Sequence, residues 1–249
     1  MNWAQLITTV TKPYERRARL YPALLALLPI LGITFAFYGM AGALQQSLAA
    51  LATTFGGLYL LINIGRERGK RIEADLFRRW GGTPTTQLQR YRDQRIDIIT
   101  KQARHVFLAG KLGVTAPSAT TEAADPRAAD EFYAAGTRWL IEHTRDTVRF
   151  SLIFEENMSY GYRRNALGLK PFAIAVCFFS VLWVLVSQKL LGLHGIDANA
   201  ITRITHGAKL SLALSLGTLA IWIFFFTRQT TKTAAFAYAD MLLRACSVL

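Results

Sequence analysis

Basic residues are concentrated in one stretch of the chain. Residues 66–111 hold 12 Lys and Arg against five Asp and Glu, a net charge of +7. A guanidinium presents a planar set of donors that suits phosphate oxygens, and an aromatic ring can stack on a nucleobase. The pattern predicts a phosphate-contacting face on a single helix. Its predicted ligand-binding residues are Arg90, Tyr91, Arg92, Arg95, Lys101 and Arg104.

A solvated helix face explains the same residues equally well. Asp93 and Asp97 lie among them, and a carboxylate can pair with a base four positions further along a helix, as Asp97 can with Lys101. Both interpretations stay open at the level of the sequence.

A second group of polar residues lies directly before an apolar stretch that begins at Pro171. Many kinds of polar group gather there in few positions, which favours a buried network that couples a polar region to a membrane helix. Anchoring of aromatic and long basic side chains at a membrane interface is the alternative. The predicted coupling residues are Glu155, Glu156, Asn157, Tyr160, Arg163, Arg164 and Asn165.

Small hydroxyl residues recur at helical spacing in the last apolar stretch. Ser211, Ser215 and Thr218 follow the i, i+4, i+7 pattern of one helix face. Such a face can line a water-filled pore, or it can let two helices approach closely, which is the commoner use.

No catalytic or metal-binding motif is present in the sequence. It contains no phosphate-binding glycine loop, no nucleophile elbow and no zinc-ligand spacing. The two cysteines, Cys177 and Cys246, have no partner at metal-ligand spacing. We therefore expect neither an enzyme nor a cofactor.

Long charge-free segments must position these groups. Residues 20–65, 171–188 and 210–227 carry no charged side chain, and 52% of the 249 residues are hydrophobic. One crossing of a bilayer takes about 20 apolar residues. The pattern predicts an all-α integral membrane protein with four spans, near residues 22–44, 48–64, 171–188 and 210–227.

The spans divide the chain into predicted regions. These are an interfacial segment at 1–19, a transmembrane hairpin at 20–65, a helical domain at 66–170, a second hairpin at 171–227 and a tail at 228–249. Most Lys and Arg lie in the first, third and fifth regions, which are therefore expected to be cytoplasmic.

Turn residues divide the middle region into helices. The helix of the second span is expected to continue to Arg79 and to end at Gly81-Gly82. A new helix is expected from Pro84 to residues 110–113, followed by a loop at 114–124. A last helix should then run from Pro126 into the membrane at Pro171.

Two motifs carry a resemblance to a known group of proteins. They are Arg79-Trp80-Gly81-Gly82-Thr83-Pro84-Thr85-Thr86 and the run from Asn157 to Pro171. With the four-span architecture, they resemble membrane effectors of bacterial anti-phage defence, the Hailong type above all and the Kiwa type next. In the Hailong system a nucleotidyltransferase makes a DNA oligomer that holds an oligomeric membrane channel shut.

The resemblance implies an ion channel in the bacterial inner membrane. It further implies a homo-oligomer in the lipid bilayer, a nucleotide or single-stranded oligonucleotide ligand, and a nucleotidyltransferase partner. A membrane scaffold that recruits a protein through its cytoplasmic helices is a second hypothesis. A small-solute transporter is a third, although no inverted repeat is evident.

Overall fold

The computed structural model describes residues 12–45, 47–192, 195–196 and 203–249. Most of the predicted interfacial segment, residues 1–19, lies outside these residues. Among the described residues the secondary structure is helical, apart from one pair of two-residue strands. The all-α prediction is confirmed at this level.

The helices and strands have the following bounds. The helices are α1 (Tyr21–Gln45), α2 (Ser47–Trp80), α3 (Pro84–Gln89), α4 (Ile98–Leu112), α5 (Ala119–Ala124), α6 (Pro126–His143), α7 (Ser151–Ser187), α8 (His206–Ala220) and α9 (Arg228–Arg244). Strands β1 (Leu191–Gly192) and β2 (Gly195–Ile196) pair antiparallel. A short helical lead-in, Pro13–Glu15 and the π-helical Arg16–Leu20, precedes α1. The π-helical Ile221–Phe225 follows α8, and a final turn, Ala245–Ser247, follows α9.

The predicted helix boundaries around the two glycines are confirmed. Gly81 and Gly82 have φ angles of 88° and 129°, a region that side chains with a Cβ rarely enter. The chain therefore turns at the end of α2. Thr83 then caps α3 by accepting a hydrogen bond from the Thr86 amide, and Pro84 occupies the first turn.

The predicted single helix from Pro84 to residues 110–113 is wrong. Arg90 leaves α3 with extended backbone angles, and residues 90–97 form a loop before α4. Asp93 accepts a hydrogen bond from the Arg95 amide, and Asp97 caps α4 through the Thr100 amide. Aspartates that bond to nearby amides stabilise turns in place of helix, which explains the interruption.

The predicted helix from Pro126 to the membrane is also interrupted. Helix α6 ends at His143, and α7 begins at Ser151. Asp146 accepts hydrogen bonds from the amides of Val148 and Arg149, which caps the start of the next helical segment.

The chain forms two compact units. The membrane unit comprises Met1–Ile72 and Gly161–Thr230, and the polar unit comprises Glu73–Tyr160 and Thr231–Leu249. The C-terminal segment, predicted as a tail, therefore belongs to the polar unit. Each time the chain passes from one unit to the other, it does so inside a helix, namely α2, α7 or α9.

Three segments of the described chain are long and apolar enough to cross a membrane. They are Pro13–Phe37, Ser151–Ser187 and His206–Phe225, and they contain most of the first, third and fourth predicted spans. The second predicted span, residues 48–64, lies in α2. The structure does not describe the side chains of part of this span, including residues 51–55. The second span therefore stays a prediction.

Small residues allow the helices of the membrane unit to pack closely. The buried core includes Ala23, Ala26, Ala166 and Ala173 together with the rings of Trp222 and Phe226. A Cβ atom on Gly168 of α7 would lie 2.7 Å from the backbone nitrogen of Gly69 on α2. The two backbones can therefore meet only because neither residue has a side chain.

The polar unit has a core of its own. Its buried residues come from α3, α4, α6, α7 and α9, and they are Leu88, Leu108, Leu140, Phe150, Ile153, Ala239, Leu242, Leu243 and Ala245. Burying one large apolar side chain contributes about 1.5–3 kcal/mol to stability. The segment after Thr231 is thus part of the fold of this unit.

Candidate functional site

Positive charge is divided very unevenly between the two units. The membrane unit holds 15 Lys and Arg against three Asp and Glu, a net charge of +12, whereas the polar unit holds 14 against 13, a net charge of +1. Basic residues near span ends are the ordinary signature of the cytoplasmic side of a membrane protein. The polar unit as a whole is close to neutral.

Arg90 is held by acceptors within the polar unit. Its Nε and Nη2 atoms donate to the two carboxylate oxygens of Asp130 at 2.8 and 2.6 Å, and Nη1 donates to the Gly81 carbonyl at 2.7 Å. The hydrogen bond to Asp130 raises the pKa of the Arg90 guanidinium. This fork-to-fork pair ties the loop after α3 to α6.

The arginines that follow are also placed against groups of the polar unit. Arg95 bonds to the Asp93 carboxylate at 2.5 Å, and its guanidinium lies 4.0 Å from the centre of the Phe236 ring. Arg92 is about half exposed, with a nitrogen 4.0 Å from a carboxylate oxygen of Glu122. Arg92 is the most accessible of the predicted ligand-binding arginines that lie in this loop.

The two predicted bases on α4 point inward. Lys101 is only 2% exposed and donates to the carbonyl of Asp93. Burial lowers the pKa of its amine. Arg104 lies 3.6 Å from Asp240 of α9. The six predicted ligand-binding residues therefore do not share one helix face, although their role in binding stays a prediction.

A buried polar cluster fixes the same loop from the other side. Glu122 of α5 is 3% exposed and accepts hydrogen bonds from the Tyr133 hydroxyl at 2.7 Å and the Tyr91 amide at 2.8 Å. The Tyr91 hydroxyl lies 3.3 Å from Nδ1 of His105, whose ring stacks on Tyr133. The cluster joins α4, α5, α6 and the loop at 90–97.

The pKa values of titratable groups in this cluster are shifted in the directions that burial dictates. Desolvation lowers the pKa of His105 from 6.5 to about 4, so the imidazole is neutral at physiological pH. Desolvation, together with Glu122, raises the pKa of Tyr91 and of Tyr133. The cluster is therefore a neutral hydrogen-bonding network around a single carboxylate.

The predicted coupling residues are divided between the two units. Glu155, Glu156 and Asn157 lie on α7 in the polar unit, and within the described part of the chain their side chains have no hydrogen bond or ion pair. Tyr160 is buried in the same unit and donates to Glu73 of α2 at 2.5 Å. Their coupling role stays a prediction.

The remaining coupling residues lie in the membrane unit. Asn165 is 1% exposed, and its amide donates to the Ala18 carbonyl at 2.8 Å. Arg164 contacts the Asn165 side chain, and Arg163 lies over the Phe225 ring at 5.9 Å. This half of the group therefore joins α7 to the lead-in of α1 and to the π-helical segment after α8.

Two further basic residues bind backbone carbonyls in the membrane unit. Arg68 of α2 donates to the Gly168 carbonyl at 3.2 Å. Lys170 donates to the carbonyls of Ile223 and Phe226 at 3.0 and 2.9 Å, where the helical hydrogen bonding of the α8 segment ends. The two cations stabilise the ends and contacts of membrane helices.

The predicted pore residues are buried within one chain. Ser211, Ser215 and Thr218 are each at most 2% exposed, and the Ser211 hydroxyl donates to the Gly32 carbonyl of α1 at 3.1 Å. Helices α8 and α1 pack against each other along this face. The geometry is that of close helix packing, while a pore role stays a prediction.

A cavity of about 300 Å³ lies inside the polar unit. Its walls come from α2, α6, α7, α9 and the start of α3. The lining residues are Glu73, Phe77, Thr83, Pro84, Thr85, Ala134, Thr137, Arg138, Ile141, Tyr160, Ala235, Tyr238, Ala239 and Leu242. Ligand sites typically combine apolar walls with a few polar groups in this way.

The sequence prediction missed this cavity, apart from Tyr160. A signal was present in the tail, where Ala235, Tyr238, Ala239 and Leu242 follow i, i+3, i+4, i+7 spacing. This spacing predicts a helix with an apolar face that needs a partner.

Metal binding finds no support in the described residues, where no group of three or more His, Cys, Asp or Glu could hold an ion.

Comparison of the chain with models of protein families, with curated proteins and with solved structures finds no match.

Proposed function

We propose that the protein is a homo-oligomeric membrane effector whose polar unit controls the helices of its membrane unit. One observation carries the proposal: α2 and α7 each pass from one unit to the other without a break, whereas α9 begins at Arg228, just before its boundary at Thr230. A continuous helix transmits displacement or rotation, whereas a flexible linker does not. The output that fits such control is an ion pathway formed by membrane helices of several subunits.

The arrangement in the cell follows from the charges. Basic residues at the ends of the membrane unit that adjoin the polar unit outnumber those around β1, β2 and the start of α8. By the positive-inside rule the polar unit, the N-terminal segment and the C-terminus are cytoplasmic, in a bacterial inner membrane. The resemblance of the motifs at 79–86 and 157–171 suggests a role in anti-phage defence through membrane depolarisation and growth arrest.

The charge balance bears on the controlling ligand. A polyanion is bound mainly through many cationic contacts, but the polar unit has a net charge of +1 and Arg90 and Arg95 are paired with carboxylates. A nucleotide or short oligonucleotide is therefore favoured over a long nucleic acid. A nucleotidyltransferase that supplies it is part of the same proposal.

The test is ion flux across liposomes that contain the purified protein. The informative variant is Ala74→Gly, because Ala74 is exposed on α2 directly after the unit boundary, so the change removes no packing. Glycine weakens a helix by about 1 kcal/mol and should loosen the connection. Ala103→Gly, exposed on α4 inside the polar unit, is the matched control.

We expect Ala74→Gly to change the flux or its dependence on added ligand, while Ala103→Gly behaves like the wild type. Absence of flux from the wild type under every ligand condition would contradict the channel. Equal flux in both variants would contradict control through α2.

A second candidate function is a membrane scaffold that recruits a protein partner. Ile99 and Val106, one face of α4, are 75% and 70% exposed. A groove beside them is lined by Ala103, Arg104, Leu243 and Cys246, among others. Exposed apolar faces next to a groove are typical of protein interaction sites. This function predicts no ion flux, and loss of a bound partner on Ile99→Lys.

A further inference from the structure

The cavity in the polar unit is bounded by every helix that enters this unit from the membrane unit. Glu73 and Phe77 belong to α2, Tyr160 belongs to α7, and Tyr238 belongs to α9. Glu73 is the first residue of the polar unit on α2, and Tyr160 is its last residue on α7. A molecule in the cavity would therefore contact all the described helices that connect the two units.

Three aromatic side chains, those of Phe77, Tyr160 and Tyr238, form part of the walls. The rings of Tyr160 and Tyr238 are nearly parallel, with an interplanar angle of 4° and centroids 6.4 Å apart. Phe77 packs beside them. Flat aromatic faces bind flat aromatic molecules through offset stacking and edge contacts. The volume of about 300 Å³ is enough for one or two fused rings with a short substituent.

The polar groups of the cavity differ in whether they already have a partner. The Glu73 carboxylate accepts a hydrogen bond from the Tyr160 hydroxyl at 2.5 Å. Arg138 is exposed at the edge of the cavity and, among the described residues, has no ion pair or hydrogen bond. The hydroxyls of Thr83, Thr85 and Thr137 also line the wall, where Thr83 donates to the Thr86 hydroxyl and Thr137 donates to the Tyr133 carbonyl. The group available to a ligand is thus a cation with hydroxyls nearby.

We infer that the cavity binds a small aromatic anion, with its ring against Tyr160 and Tyr238 and its carboxylate or phosphate at Arg138. Both aromatic carboxylates and mononucleotides have this chemistry. Occupancy then biases the positions of α2, α7 and α9, to the extent that the ligand binds one arrangement of these helices better than another. The binding site stands on the cavity alone, while its control of the membrane helices rests on the proposed function.

Binding is measured with the purified full-length protein in detergent by fluorine NMR of fluoroindole acetate, with uncharged fluoroindole for comparison. Adenosine monophosphate and adenosine, added as competitors, distinguish a nucleotide from an aromatic carboxylate. We expect the anions to bind and the uncharged analogues to bind about tenfold more weakly, the usual size of one charge-assisted contact.

Two variants with matched controls locate the site. Arg138→Gln should weaken anion binding about tenfold, whereas Arg145→Gln, another exposed arginine of the same unit, should not. Ala134→Leu fills the cavity and should abolish binding, whereas Ala128→Leu, exposed on the same helix, should not. Thermal unfolding of each variant checks that the fold is kept.

The inference is overturned if neither anion binds, or if binding persists unchanged in both Arg138→Gln and Ala134→Leu. Flux measured in liposomes with the same ligands tests the second part. Ligand binding without any change in flux would leave the site established and contradict control of the membrane helices. If no aromatic anion binds and none changes the flux, this site is contradicted, while the proposed channel function is not.

Discussion

The hydroxyl of Tyr160 donates a 2.5 Å hydrogen bond to the carboxylate of Glu73. The pair joins α7 to α2 at the residues where both helices enter the polar unit. A hydrogen bond to a charged group contributes about 1.5–3 kcal/mol, more than a neutral one. The bond therefore holds the two connecting helices together beside the cavity.

Tyr160→Phe removes this bond and keeps the ring. We expect a loss of stability of about 1–2 kcal/mol, because the carboxylate keeps its access to water and to its other neighbours. Thermal unfolding of the protein in detergent measures the loss. If the helix pair takes part in control, the variant also shifts the ligand concentration at which flux changes. Tyr162→Phe, two residues later, is the control, and an equal shift in that variant would argue against a special role for Tyr160.

Among the carboxylates of the polar unit, Glu122 should be the one whose substitution lowers stability most. It is 3% exposed and accepts hydrogen bonds from Tyr133 and from the loop at 90–97. Glu122→Gln removes the charge that these donors face, and we expect a loss of about 2 kcal/mol in the free energy of unfolding. Glu131→Gln, on the exposed side of α6, should change it by less than about 0.5 kcal/mol. Similar losses in both variants would contradict the buried network.

His105 should make the polar unit sensitive to acid. Burial lowers its pKa from 6.5 to about 4 in the folded protein, so between these values the unfolded chain binds a proton that the folded chain does not. Stability therefore falls as pH drops below 6.5, by about 1.4 kcal/mol per pH unit and about 3 kcal/mol by pH 4. The groups around the ring are Tyr91, Tyr133, Glu122, Lys101 and Arg104.

The check is the free energy of unfolding from pH 7 to pH 4, compared between the wild type and His105→Phe. Above pH 6.5 the difference between the two free energies of unfolding should be constant. Below pH 6.5 this difference should change steadily as the pH falls, because phenylalanine cannot bind a proton. His143→Gln, an exposed histidine on α6, should follow the wild type. Parallel curves for the wild type and His105→Phe would show that His105 does not carry the effect.

Much of the secondary structure could be predicted from local signals. The turn at Gly81-Gly82, the caps at Thr83 and Asp125 and the helices that follow them each depend on a few adjacent residues. The break at residues 90–97 was missed because the apolar spacing of Leu88, Tyr91 and Ile98 is compatible with one helix. Asp93 stabilises a turn there by accepting from the Arg95 amide, and the Arg95 side chain and Lys101 add bonds to its carboxylate and carbonyl.

The candidate site could not be predicted from the sequence, because it is formed by contacts between distant parts of the chain. Arg90 meets Asp130 across 40 residues, and Tyr160 meets Glu73 across 87. Sequence spacing does not reveal such pairs, so the arginines were interpreted as a free surface. The uneven division of charge likewise depends on where the first segment of the polar unit begins and ends, at Glu73 and Tyr160, inside unbroken helices.

Variants of Arg90 and Arg92 distinguish a structural role from a ligand-binding role for the loop at residues 90–97. Arg90→Lys loses the two-pronged bond to Asp130, and we expect a loss of about 1 kcal/mol in stability. Arg92→Gln should leave stability within about 0.5 kcal/mol, since its carboxylate partner is 4.0 Å away. Binding of a labelled oligonucleotide measures the second role. Weaker binding in Arg92→Gln alone would support a phosphate contact, and unchanged binding would exclude Arg92 from it.

Gly168 tests whether close helix packing holds the membrane unit together. A methyl group at this position would lie 2.7 Å from the Gly69 nitrogen and 3.0 Å from the Gly65 carbonyl oxygen, both backbone atoms that cannot move aside without displacing α2. Gly168→Ala should therefore lower the thermal unfolding temperature, although alanine favours a helix by about 1 kcal/mol over glycine. Gly217→Ala on α8 is the matched control, because its methyl group meets nothing within 4 Å among the described residues. That variant gains helix propensity without a clash, so its unfolding temperature should be equal to or above that of the wild type. A Gly168→Ala protein as stable as Gly217→Ala would mean that α2 and α7 do not pack through their glycines.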